Sequence, residues 1–277
     1  MNFVFITYPY HYHITLAAIK RIRKLYTVSN ITVMFDDVHY VNRTFDFLEE
    51  FVYSSPNVEV IPFSAIEEAR EVELGWTRQQ IVKLNLHKIL NYETWMCIDG
   101  DTLLQEKLEP NKWYVNVNDA VCPWVHHYNF VNYALNLNYQ KITFGEHTLN
   151  SVSGMPIKNM NKAVLAGLES YIHELHGCSI WDVVNSFTLK KNINRYFEIT
   201  EWDMIGYYEV FVAKYWLQLE ELNFSIIPTK QFELPYDNKI KVLDGHDNLS
   251  IEWYKQHDIE VNQAVFDALH YRRIAQG

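Results

Sequence analysis

Short continuous apolar runs alternate along this chain with longer stretches in which apolar residues recur every three or four positions. Asn2 to Tyr8, built on Phe3, Val4, Phe5 and Ile6, predicts a first strand. Leu16, Ile19, Ile22 and Tyr26, with Lys20, Arg21, Arg23 and Lys24 between them, predict a helix after it. Asn30 to Phe35 and Val58 to Phe63 read as the next two strands, the first of them ending in Asp36-Asp37. Ser64-Ala65-Ile66-Glu67 and Thr77-Arg78-Gln79-Gln80 each have the form of a capping box, so helices are expected to start at Ser64 and at Thr77. The second carries Ile81, Leu84 and Ile89 toward a fourth strand, Thr94 to Ile98, which runs into Asp99-Gly100-Asp101. Unbroken apolar runs suit strands buried in a sheet, and their alternation with helices predicts an α/β fold.

Beyond Gln105 the pattern loosens. Trp113 to Val117 and Tyr139 to Phe144 are strand candidates, and Ser151 to Pro156 reads as a small-residue turn. The clearest helical stripe follows: Val164, Leu168, Tyr171, Ile172 and Leu175, with a cap expected at Asn159 and a stop at Gly177. Ile180 to Leu189 suggests another helix. Thr200-Glu201-Trp202-Asp203 is a third capping box, opening a long helix through Ile205, Tyr208, Val212, Trp216 and Leu219. A last strand at Phe224 to Pro228 and a helix near Val261 to Ile274 complete the reading. No repeat or Pro/Gly/Ser-rich linker interrupts it, so one compact unit with two lobes is expected, 1–125 and 126–277.

Composition narrows the function classes. The 277 residues are 48% hydrophobic and 15% aromatic, enough for a large core, and 24 basic against 34 acidic residues leave a net charge of −10. That balance disfavours nucleic-acid and anionic-membrane partners. No apolar run approaches the ~20 residues of a transmembrane helix. Three scattered cysteines, Cys97, Cys122 and Cys178, and an N-terminus without a basic n-region imply a reducing, cytoplasmic setting. His11 and His13 lack neighbouring ligands for zinc and are expected in a solvated loop.

Candidate chemistry collects at predicted element ends. Asp99 and Asp101 stand where a buried strand stops, the edge at which open α/β sheets bind ligands. The plain alternative is an Asp-Gly turn. Arg78 and Gln79 fall in the first turn of a helix, where free N–H groups and the dipole favour an anion and the Arg fork suits phosphate. An exposed Arg beside a cap is the alternative there. Glu201 and Asp203 suit the acidic first turn of a capped helix.

Trp76-Thr77-Arg78-Gln79-Gln80 before a helix, the strand that follows and Asp99-Gly100-Asp101 at its end resemble the donor half of a GT-A glycosyltransferase. Ser153-Gly154-Met155-Pro156 and Glu201-Trp202-Asp203-Met204-Ile205-Gly206-Tyr207 resemble the acceptor half of a bacterial and viral branch carrying that Asp-x-Asp. The likeness spans most of residues 1–221 and fades thereafter. It implies a Rossmann-like mixed central sheet flanked by helices, with a donor and an acceptor lobe. It also implies a UDP- or GDP-sugar donor, a hydroxyl acceptor and Mn2+ or Mg2+ as cofactor. Asp101 would ligate the metal, Asp99 would contact ribose, donor sugar or metal, and His246 (or His257) would be a further ligand. Asp36 or Asp37 would lie near base or ribose, Arg78 and Gln79 near diphosphate or donor sugar, and Glu201 or Asp203 would serve as base. Trp124, Tyr128, Trp202 and Tyr207 are of a type that stacks on sugar rings, with burial in the core the alternative in so aromatic a chain, and none is singled out as a platform.

Two other functions fit the same residues. A nucleotidyltransferase also uses paired acids and metal, but usually has a Gly-rich loop after the first strand, where this chain has Thr7-Tyr8-Pro9-Tyr10. A carbohydrate-binding protein of the same build would bind sugar independently of metal.

Overall fold

The structure is a computed structural model of the chain. It describes residues 1–8, 11–27, 29–38, 57–72, 75–104, 107–108, 113–115, 125–138, 142–144, 147–149, 157–191, 199–214, 224–226, 229–230 and 242–244. Two compact units divide the chain, one formed by 1–65, 96–109 and 228–277, the other by 66–95 and 110–227.

The first unit contains β1 (Asn2–Thr7), α1 (Tyr12–Leu25), β2 (Asn30–Phe35), β3 (Val58–Pro62) and the end of β4 (Thr94–Asp99). These strands lie side by side in the order β3-β2-β1-β4, all parallel. The α/β architecture expected from the apolar runs is thus observed. Phe3, Val4, Phe5 and Ile6 of β1 are wholly buried, as are Val33, Met34 and Phe35 of β2 and Met96, Cys97 and Ile98 of β4. A strand covered on both faces has no solvent side to hold polar residues, hence the unbroken apolar runs. The chain passes from β1 through α1 to β2 and on to β3 on one side, whereas β4 joins β1 on the other. Strand order therefore reverses between β1 and β4. After β4, β5 (Thr102–Leu104) pairs antiparallel with β12 (Val242–Asp244), which pairs parallel with β11 (Thr229–Lys230).

The second unit holds α2 (Glu67–Arg70), α3 (Gly75–Ile89), β6 (Trp113–Val115), α4 (Val125–Leu135), the hairpin β7 (Ile142–Phe144) and β8 (His147–Leu149), β9 (Ile157–Asn161), α5 (Lys162–His176), α6 (Ile180–Lys191), α7 (Glu201–Tyr207) and β10 (Phe224–Ile226). β10 pairs parallel with β6. Gly177 ends α5 in the left-handed region at φ 68°, the stop read from the sequence.

Several boundaries move, each for a local reason. α2 starts after Ile66, because the Ser64 hydroxyl and N–H go to the Asp37 carboxylate, at 2.5 and 3.0 Å, instead of capping a helix. α3 starts at Gly75, which places Thr77 inside the helix. The cap of α5 is Asn161, whose side chain takes the Ala163 N–H at 2.8 Å, while Asn159 lies within β9. The helix opened at Thr200 stays α-helical only to Tyr207 and continues as a π-helical turn over Tyr208–Val212. His13 is a buried residue of α1, edge-on to Tyr12 with ring centroids 5.2 Å apart, and not part of a solvated loop. The Ser151–Pro156 turn, Trp216, Leu219 and the 261–274 helix lie outside the described residues.

Candidate functional site

Two acid-bearing loops flank the carboxyl end of β1. Ile6 pairs with Asp99 across one side of that strand, and Thr7 pairs with Phe35, the residue before Asp36, across the other. The ladders run one step past the strands: the Gly100 N–H donates to the Ile6 carbonyl at 2.7 Å, and the Asp36 N–H to the Thr7 carbonyl at 3.1 Å. The last two carbonyls of β1 thus hold the Asp99-Gly100-Asp101 loop on one side and the Asp36-Asp37 loop on the other. This edge is also where strand order reverses, the position at which α/β sheets leave a crevice for ligands.

Gly100 is required there by space. A Cβ on it would stand 2.8 Å from the Thr7 Cα and closer still to the Thr7 side chain, so the loop lies flat against β1 only because that atom is absent. Asp99 is half-buried and Asp101 is 7% exposed. Asp36 is buried, with one carboxylate oxygen accepting the Val38 N–H at 3.2 Å. Both Asp37 oxygens bind Ser64, which ties the β2 edge to the chain leaving β3.

The donor set of the Asp-Gly-Asp loop is two hard carboxylates around a close-packed glycine, which fits an oxygen-seeking cation such as Mg2+ or Mn2+. Among the described residues no group of three or more His, Cys, Asp and Glu gathers as a metal cluster. Remaining positions on such an ion then fall to ligand phosphate, water or residues elsewhere. Asp244, the last residue of β12, pairs antiparallel with Thr102, the residue after Asp101. His246, two positions further along the sequence, and His257 lie outside the described residues.

The other sequence candidates belong to the second unit. Arg78 is the fourth residue of α3 and wholly buried, and its guanidinium donates through Nε and Nη2 to the Val72 carbonyl at 2.9 and 2.6 Å. Gln79 beside it is buried as well. Glu201 accepts from the Lys83 ammonium at 2.6 Å, with both side chains at 2% exposure or less. Its own N–H goes to the Gln80 side-chain oxygen at 3.3 Å. The Lys83 ammonium also lies 4.4 Å from the centre of the Trp202 ring. Asp203 is in the cap of α7: its N–H donates to the Thr200 hydroxyl at 3.4 Å, and its carboxylate stands 3.3 Å from that oxygen. Trp202 and Tyr207 are each 1% exposed, so they are core residues in this structure and not open stacking platforms. Trp124 and the Tyr128 side chain are outside the described residues.

Gln80 and Lys83, which hold Glu201, do not stand out from apolar periodicity. Their signal is a polar stripe through an otherwise buried helix: Gln80, Lys83 and His87 are three and four positions apart, hence on one face. His87 continues it, meeting Glu169 of α5 at 2.9 Å, with Lys88 at 2.7 Å from the same carboxylate. Partial burial tends to raise the Glu169 carboxyl, but hydrogen bonds from Lys88 and His87 outweigh that and hold it below its ordinary range.

No protein-family profile matches the chain, and no curated protein matches it. Solved structures it is similar to include glycosyltransferases. The galactosyltransferase LgtC, in complex with donor and acceptor sugar analogues, is 10% identical over 97% of this chain and 100% of that one, with a TM-score of 0.48. Mouse xyloside xylosyltransferase 1 is also 10% identical, over 91% of this chain and 100% of that one, with a TM-score of 0.48. The glycosyltransferase GlyE of Streptococcus pneumoniae is 10% identical over 99% of this chain and 64% of that one, with a TM-score of 0.45. No described helix is long and apolar enough to cross a membrane.

Proposed function

We propose that this chain is a metal-dependent glycosyltransferase that moves a sugar from a nucleotide-sugar donor, a UDP- or GDP-sugar, to a hydroxyl acceptor. The observation that carries the reading is the carboxyl edge of the first unit. Paired acids on both sides of β1 stand at the reversal of strand order, with Gly100 pressed onto Thr7. That is a site for a ligand whose negative groups need a cation between them and the protein.

Asp101 and Asp99 are the residues that would hold Mn2+ or Mg2+, with His246 as a further ligand. When bound, such an ion neutralises the diphosphate and makes it a better leaving group. The chain's own contributions are separate. The short ladder extensions at Ile6 and Thr7 fix where the two acid loops start. Asp36, buried at the end of β2, is suited to the ribose or base, and Asp37 steadies that loop through Ser64. Arg78 and Gln79 remain proposed contacts for diphosphate or donor sugar, which Arg78 would make while keeping, or on releasing, the Val72 carbonyl. Glu201 and Asp203 remain the two base candidates, Glu201 held by Lys83 in a buried ion pair and Asp203 beside the Thr200 hydroxyl that caps its helix.

A thermal-shift titration tests the reading. Mn2+ together with UDP or GDP is expected to raise the melting temperature, by about 2.7 kcal/mol of stability at a hundred times Kd. Asp101→Asn is expected to remove that shift. Absence of any shift in the wild-type protein with either nucleotide and either Mn2+ or Mg2+ refutes it. Sugar binding unaffected by chelators would instead identify a carbohydrate-binding protein.

A further inference from the structure

The Asp-Gly-Asp loop is anchored by more than the sheet. Thr15, one turn into α1 and fully buried, gives its hydroxyl proton to the Gly100 carbonyl at 2.6 Å. A helical threonine commonly turns its hydroxyl back toward a carbonyl of its own helix, so this orientation is a specific choice. The Thr7 and Thr15 hydroxyl oxygens are 2.7 Å apart, and Thr7 is also fully buried. Each hydroxyl has one proton. With that of Thr15 spent on Gly100, Thr7 must donate to Thr15, and its 3.4 Å approach to the Tyr8 carbonyl is the weaker contact. The chain of donation therefore has one direction: Thr7 to Thr15 to Gly100.

We infer that Thr15 is a positioning residue, whose hydroxyl, oriented by Thr7, locks the Gly100 peptide and so sets the geometry of the Asp99 and Asp101 carboxylates. Glycine is the residue with the most backbone freedom to lose. Here its N–H is fixed by Ile6 and its carbonyl by Thr15, so the peptide groups before and after it are both held. A carboxylate pair carried on a pinned glycine is preorganised for a cation, which an otherwise identical but loose turn is not. The consequence for ligand binding rests on the glycosyltransferase reading; the lock on the loop does not.

The test compares Thr15→Val, which keeps the shape and removes the hydroxyl, with Thr15→Ser, which keeps the hydroxyl. Hydrogen exchange over residues 96–104 is read beside exchange over the α5 helix, and Mn2+ affinity is measured by electron paramagnetic resonance with UDP and with GDP. Thr15→Val is expected to speed exchange at 96–104 about tenfold, leave α5 unchanged and weaken Mn2+ binding about tenfold, the equivalent of one lost hydrogen bond. Thr15→Ser is expected to stay within about twofold of the wild type in both. Unchanged exchange at 96–104 in Thr15→Val, or equal acceleration in Thr15→Ser or in α5, overturns the inference. A wild-type protein that binds Mn2+ with neither nucleotide overturns the transferase reading instead, and the exchange data still decide the role of Thr15.

Discussion

Glu201→Gln removes the charge that Lys83 faces while keeping nearly the same shape. The two groups meet at 2.6 Å with side-chain exposures of 2% and 1%, so neither has water to fall back on. Gln80 holds the Glu201 backbone, and the Trp202 ring lies beneath the Lys83 ammonium, so the two side chains have little room to move apart. Breaking a buried pair by removing one partner leaves an uncompensated charge and costs about 3–5 kcal/mol. At roughly 2–4 °C per kcal/mol for a domain of 150–250 residues, the melting temperature should fall by roughly 6–20 °C. Lys83→Met with Glu201→Gln removes both charges of the pair, so the double variant should be more stable than the sum of the two single losses predicts. A coupling of about 0.5–3 kcal/mol is expected. Urea denaturation of all four proteins at 0.1 M and 1 M NaCl supplies the cycle, and burial makes the coupling nearly independent of salt. A Glu201→Gln loss below about 1 kcal/mol, or strict additivity, would refute the assignment of Glu201 as a buried lock between α3 and α7.

Two further outcomes are expected. Gly100→Ala puts a Cβ 2.8 Å from the Thr7 Cα, a clash that only backbone movement relieves, so urea denaturation should show a loss of about 1–3 kcal/mol; an unchanged midpoint would refute the close packing. The Glu169 carboxyl is depressed in the folded chain, so its contribution is present above the ordinary carboxylate pKa of about 4.3 and is lost as pH falls through the lower folded value. Because Glu169 is 34% exposed, the contribution is of surface size, up to about 1 kcal/mol. Between about pH 5 and pH 2 the wild-type melting temperature should therefore fall more steeply than that of Glu169→Gln, and parallel curves would refute the pairing with Lys88 and His87.

The apolar runs at Asn2 to Tyr8, Asn30 to Phe35 and Thr94 to Ile98 were sufficient to place three of the strands, because a strand buried on both faces cannot carry a polar residue without a partner. The ends of two of them also located the acids, since Asp36 and Asp99 each follow directly on such a run. Helix starts were less legible. Ser64 and Thr200 have the same local form, yet Thr200 caps a helix and Ser64 serves Asp37, a choice made by a carboxylate 27 residues away in sequence. Likewise the periodicity of α3 hides that Arg78, Gln80, Lys83 and His87 are all buried, because their partners Val72, Glu201 and Glu169 come from separate segments. Sequence alone thus determined which segments form strands and that two of them end in acids. Only the tertiary structure decided which polar side chains are already satisfied within the protein, because a hydrogen-bond partner brought in from a distant segment leaves no local pattern.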